Sequence, residues 1–115
     1  MASCRGQGRR INMLDFITVA TTDEVPPGER IVVEIGRRWV AIFNVDGSYY
    51  AIEDRCTHDD GPLAEGVLTG TTIECPRHGA CFDITTGKVL TAPAMVDVPS
   101  YQVRVDGNDI QVAPR

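Results

Sequence analysis

The chain has 115 residues, 43% of them apolar, enough for one domain with a single modest core. Sixteen acidic residues against eleven Lys and Arg give a formal charge of −5, which argues against general nucleic-acid binding. No apolar run is long enough to cross a membrane, and residues 1–10 lack the apolar stretch of a secretory signal, so a cytoplasmic protein with no membrane partner is expected.

Residues 1–13 read as a tail outside the fold, or as a non-native start, because Met13 offers a second initiation point. The domain is then expected over residues 14–115. Cys4 falls in the tail and reads as a loose thiol with no cofactor role. The pattern that follows is mostly of period two, with turn residues between short runs. Residues 16–20 read as a first strand. Pro26-Pro27-Gly28 breaks any helix and reads as a turn. Residues 30–35 and 38–43 are apolar, β-branched-rich runs at hairpin spacing. Asp46-Gly47 suits a type I′ turn into a strand at 48–52. Near the end, 101–105 and 109–112 flank Asp106-Gly107-Asn108, another hairpin signal. Trp39, Tyr49 and Tyr50 fall in these strands and read as packing residues. No stretch forms a convincing amphipathic helix; 62–66 is too short for more than one turn. The expectation is an all-β, antiparallel domain of about nine or ten short strands. Residues 54–93, denser in Cys, His, Gly and Pro, stand apart as a small insert.

That insert carries both histidines of the chain, each beside a cysteine. Cys56-Thr57-His58 is followed, after sixteen residues, by Cys75-Pro76-Arg77-His78. Two thiolates and two imidazoles from two loops make a four-ligand metal site, and ligand softness leaves zinc or an iron–sulfur cluster. The flanking residues are Asp59-Asp60-Gly61-Pro62 in the first segment and Gly79-Ala80-Cys81-Phe82-Asp83 in the second. With ligand type, order and spacing, they closely resemble the Rieske family, over residues 16–112.

The resemblance implies one [2Fe–2S] cluster, with Cys56 and Cys75 on one iron and His58 and His78 on the other. It also implies a Rieske-like antiparallel β-sandwich or barrel base carrying a small cluster-binding subdomain at about 54–93. Two thiolates and two neutral imidazoles leave the oxidised site uncharged, whereas four thiolates would leave it at minus two. Histidine ligation therefore raises the potential, to about −150 to +300 mV against about −400 mV for plant-type ferredoxins. High-potential members add a disulfide between the two loops; the matching positions here are Gly61 and Arg77. They also place hydroxyl donors to the sulfurs where this chain has Ala80 and Phe82. With fewer donors to stabilise the added charge, a potential at the low end, roughly −150 mV, is expected.

Thr91-Ala92-Pro93-Ala94 matches the family's third, proline-containing loop, which covers the cluster. Pro62 and Pro76 stiffen the ligand loops. Gly61, Gly66 and Gly79 serve either close backbone approach or positive φ, and the sequence leaves the choice open. Asp59, Asp60 and Arg77 read as solvent-facing residues. Cys81 has no histidine at ligand spacing and reads as a strand-borne packing residue. The pattern resembles the small ferredoxin of bacterial aromatic-ring-hydroxylating dioxygenases. This implies a monomeric one-electron carrier, not an enzyme, between a flavoprotein ferredoxin reductase and a terminal oxygenase. The alternatives are a small subunit of a larger redox enzyme such as nitrite reductase, and a structural zinc module.

Overall fold

A computed structural model describes residues 16–57, 61–77, 79–92 and 94–114. The expected tail at 1–13, with Cys4 and Met13, lies outside them. Nine strands occur among the described residues: β1 (Ile17–Thr21), β2 (Arg30–Ile35), β3 (Arg38–Val45), β4 (Ser48–Glu53), β5 (Val67–Thr69), β6 (Thr72–Glu74), β7 (Cys81–Asp83), β8 (Ser100–Asp106) and β9 (Asp109–Pro114). The described helical content is a single 3-10 turn, Thr22–Glu24. Six strands make an antiparallel sheet in the order β1-β9-β8-β4-β3-β2, which curls into a nearly closed barrel. Three short strands form a second sheet, β5-β6-β7.

The hairpins follow from their turn residues. Asp46 and Gly47 both have positive φ, 53° and 92°, as a type I′ turn requires, and Val45 pairs with Ser48 across it. The turn at Pro26-Pro27-Gly28 closes with the Glu29 N–H donating to the Pro26 carbonyl at 3.0 Å. The strand expected at 30–35 is observed with those bounds, and the other expected strands differ by one or two residues at their ends. β3 runs to Val45 because Asn44 stays in register opposite Tyr49. Although Asn44 is buried, its amide donates to the Val25 carbonyl and accepts from the Gly47 N–H, both at 2.8 Å, so its burial leaves no unmet polar group.

Strand β3 organises two cores. Val40 and Ile42 point into the barrel with Val25, Ala51, Ile110 and Val112. Ala41 and Phe43 point the other way, where Ile52, Ile73, Phe82 and Ile84 meet them beneath the small sheet. Both faces being covered explains why the strand reads as an apolar run rather than an alternation. Trp39, at the start of the strand, is 53% exposed and lies outside both cores. Tyr49 anchors its hydroxyl on the Val25 carbonyl at 3.1 Å, and Tyr50 packs against the second core.

Arg30 of β2 fastens the segment leading into β5 to the barrel. Its guanidinium donates to the Ala64 and Gly66 carbonyls, each at 2.9 Å, and lies over the Phe43 ring. Charge-assisted bonds of this kind contribute about 1.5–3 kcal/mol each. At the end of β4, the nearly buried Glu53 pairs with Arg38 at 3.2 Å and Arg55 at 3.1 Å. Burial, with the Glu53 carboxylate nearby, pushes the Tyr101 hydroxyl above the usual tyrosine range.

Candidate metal centre

Cys56 follows the end of β4, and Cys75 directly follows β6. Both are buried and belong to the second core, with Leu63, Ala80 and Phe82. The same bond closes both loops. The Cys56 N–H donates to the Gly61 carbonyl at 2.7 Å, and the Cys75 N–H donates to the Ala80 carbonyl at 2.7 Å. Each acceptor stands five residues beyond its cysteine, so 56–61 and 75–80 are closed at their ends in the same way. By sequence His58 belongs to the first and His78 to the second. Both histidines, together with Asp59 and Asp60, lie outside the described residues.

The loops are supported from below. One Asp54 carboxylate oxygen accepts from the Leu63 and Ala64 N–H groups, at 2.8 and 2.7 Å, and holds the single turn at 63–65 that the sequence allowed. The glycines divide their work. Gly79 has φ +79° and donates its N–H back to the Cys75 carbonyl at 3.1 Å. Gly66 is needed for space, since a Cβ there would lie 1.8 Å from the Glu74 carbonyl oxygen. Gly61 supplies the closing carbonyl. Arg77 is exposed, as expected.

The third loop packs beside them. Thr91 accepts the Cys81 N–H on its hydroxyl at 3.0 Å, and Ala94 and Val98 are buried in the same core as the two cysteines. Pro93 lies outside the described residues. Cys81 sits on β7 as expected, but it is half-buried and outside the core, with its thiol directed at the Gly79 carbonyl at 3.5 Å. Cys81→Ser is therefore expected to keep the iron–sulfur absorption at wild-type intensity, measured per mole of protein. Loss of the colour would overturn the separation of Cys81 from the site.

The donor chemistry suits a binuclear cluster. Two thiols in a dry surround, one from each of two matched loops, give the pair of thiolates that such a centre takes. Among the described residues no three His, Cys, Asp or Glu side chains gather into a metal site, and two of the four predicted ligands stand outside that set.

Residues 15–102 match the Rieske [2Fe-2S] domain family. The chain belongs to the Rieske [2Fe–2S] family. This Rieske domain is 41% identical over 100 residues to the biphenyl dioxygenase ferredoxin subunit of Pseudomonas sp. strain KKS102, covering 86% of this chain and 92% of the relative. It superposes on the ferredoxin of carbazole 1,9a-dioxygenase from Nocardioides aromaticivorans IC177 with a TM-score of 0.81 at 35% identity, covering 87% and 98% of the two chains. A complex of reduced oxygenase and oxidized ferredoxin in carbazole 1,9a-dioxygenase contains a further likeness, with a TM-score of 0.79 at 34% identity over 89% of this chain and 94% of that one. The Rieske domain carries one [2Fe–2S] cluster and is an electron-transfer component rather than a catalyst. No helix among its described residues is long and apolar enough to cross a membrane.

Proposed function

We propose that this Rieske domain takes single electrons from a flavoprotein ferredoxin reductase and delivers them to a terminal oxygenase. Cys56, His58, Cys75 and His78 hold the cluster in this reading, with the thiolates on one iron and the imidazoles on the other. The observation that carries it is the pair of cysteine loops closed by the same bond and set in one core. The cluster supplies a one-electron acceptor; the protein supplies a dry sulfur side and stiff loops that limit rearrangement as the charge changes. The oxygenase partner is supported by the relatives named as dioxygenase ferredoxins and by the solved oxygenase–ferredoxin complex. The cluster-binding subdomain extends over about 54–93, and the three-stranded sheet and both closed loops fall within it. A monomer in the cytoplasm completes the proposal.

Ala80 and Phe82 are both buried beside the cysteines and bring no hydroxyl to them. The midpoint is therefore expected at roughly −150 mV, within about 50 mV. An anaerobic redox titration followed in the visible spectrum checks it. A midpoint well above zero would overturn the low-potential assignment. A colourless protein with bound zinc and no redox transition would overturn the carrier reading itself.

A further inference from the structure

The Thr57 side chain joins two parts of the site that the cysteines alone do not join. Thr57 stands between Cys56 and His58, and its hydroxyl donates to the Val96 carbonyl. Val96 is far away in sequence, in the segment that follows the third loop. That segment is seated at both ends: Ala94 and Val98 are buried, the Val98 N–H donates to the Gly87 carbonyl at 2.8 Å, and the Asp97 carboxylate accepts from the Val89 N–H at 2.9 Å. Between those ends Met95 and Val96 are 87% and 63% exposed. Among the described residues Met95 and Val96 belong to neither core, and the Thr57 hydroxyl meets the segment there, at the solvent edge.

We propose that Thr57 is a positioning residue: a latch that holds residues 95–97 against the first ligand loop, limits water at that edge of the cluster and fixes the loop carrying Cys56 and His58. This rests on the ligand assignment proposed above. The latch is a hydroxyl donor on the ligand loop and a backbone acceptor on the covering segment. Valine, nearly the same shape without the donor, releases it, and serine keeps it. With the latch open, water reaches the cluster edge, where its dipoles favour the more negative reduced state. The potential should rise and the cluster should become easier to extract.

The test compares cluster-loaded wild type, Thr57→Val and Thr57→Ser. Amide hydrogen exchange at residues 95–98 should quicken in Thr57→Val by about two- to fivefold, the effect of one modest net hydrogen bond. Loss of iron to a ferrous chelator after reduction should quicken by a similar factor, and the midpoint should move upward. Thr57→Ser should match wild type in all three. A Thr57→Val protein with wild-type exchange, iron loss and midpoint overturns the latch. Faster exchange with iron loss and midpoint both unchanged overturns its role at the cluster and leaves only a loop contact. Equal defects in Thr57→Val and Thr57→Ser overturn the hydroxyl as the cause. Failure of the ligand assignment looks different: His58→Ala or His78→Ala would then retain the wild-type spectrum.

Discussion

Replacement of any one of Cys56, His58, Cys75 or His78 by alanine is expected to give a folded but colourless protein. In sequence, neither 56–61 nor 75–80 offers a Cys or His beyond its own candidate pair. Cys81, the remaining described cysteine, is on β7 with its thiol toward the Gly79 carbonyl. Losing only an outer support of a metal site typically costs about 10–100-fold in metal affinity, and losing a ligand costs more. The measurements are iron and acid-labile sulfide per mole of protein, with the visible and electron-paramagnetic spectra. Absorption at background in all four alanine variants, with normal absorption in Cys81→Ser, is the expected pattern. A histidine variant that kept the full spectrum would remove that histidine from the ligand set. Circular dichroism separates cluster loss from unfolding. The barrel core of Val40, Ile42, Ala51, Ile110 and Val112 contains no predicted ligand, so the strand signal should persist.

Phe82→Ala is expected to destabilise the cluster-loaded protein by about 3–5 kcal/mol, the range for emptying a fully buried aromatic site. The loss is a large share of a total stability of about 5–15 kcal/mol. Phe82 is fully buried in β7, pairs with Ile73 and bridges to Val89, and shares its core with Phe43 from the barrel and with both cysteines. The cavity would open between the small sheet and the base, beside Cys56 and Cys75. Two readings of one urea series check this. The unfolding midpoint followed by circular dichroism should fall, and bleaching of the cluster should begin at lower urea than in wild type. A change within about 1 kcal/mol would show that the core collapses around the missing ring.

Much of this protein is legible without coordinates because its strongest signals are local. A type I′ turn needs two residues tolerant of positive φ, and Asp46-Gly47 announces it in two letters. Cys-x-His and Cys-x-x-His name the candidate ligands through chemistry and spacing, and the family match agrees with the fold they imply. The strands 67–69 and 72–74 are not among those the sequence predicts, and of 81–83 only Cys81 reads as strand-borne. With three residues each, they carry too little alternation to show a period and hold only when paired with one another and seated on Phe43 and Ile52.

The sequence by itself determined the all-β class, the hairpins and the identity of the candidate ligands, because each depends on residues a few positions apart. Tertiary structure decided what no window of sequence contains. Arg30 reaches the Ala64 and Gly66 carbonyls, and Thr57 reaches Val96, across separations at which sequence holds no periodic signal. It also decided that Gly66 is there for space and Gly79 for backbone angle, since the first depends on where the Glu74 carbonyl comes to rest. The matched closure of the two cysteine loops belongs to the same class. Its bonds are local, but the common core that brings the two loops together is formed by β3, β4 and the small sheet packing as a unit.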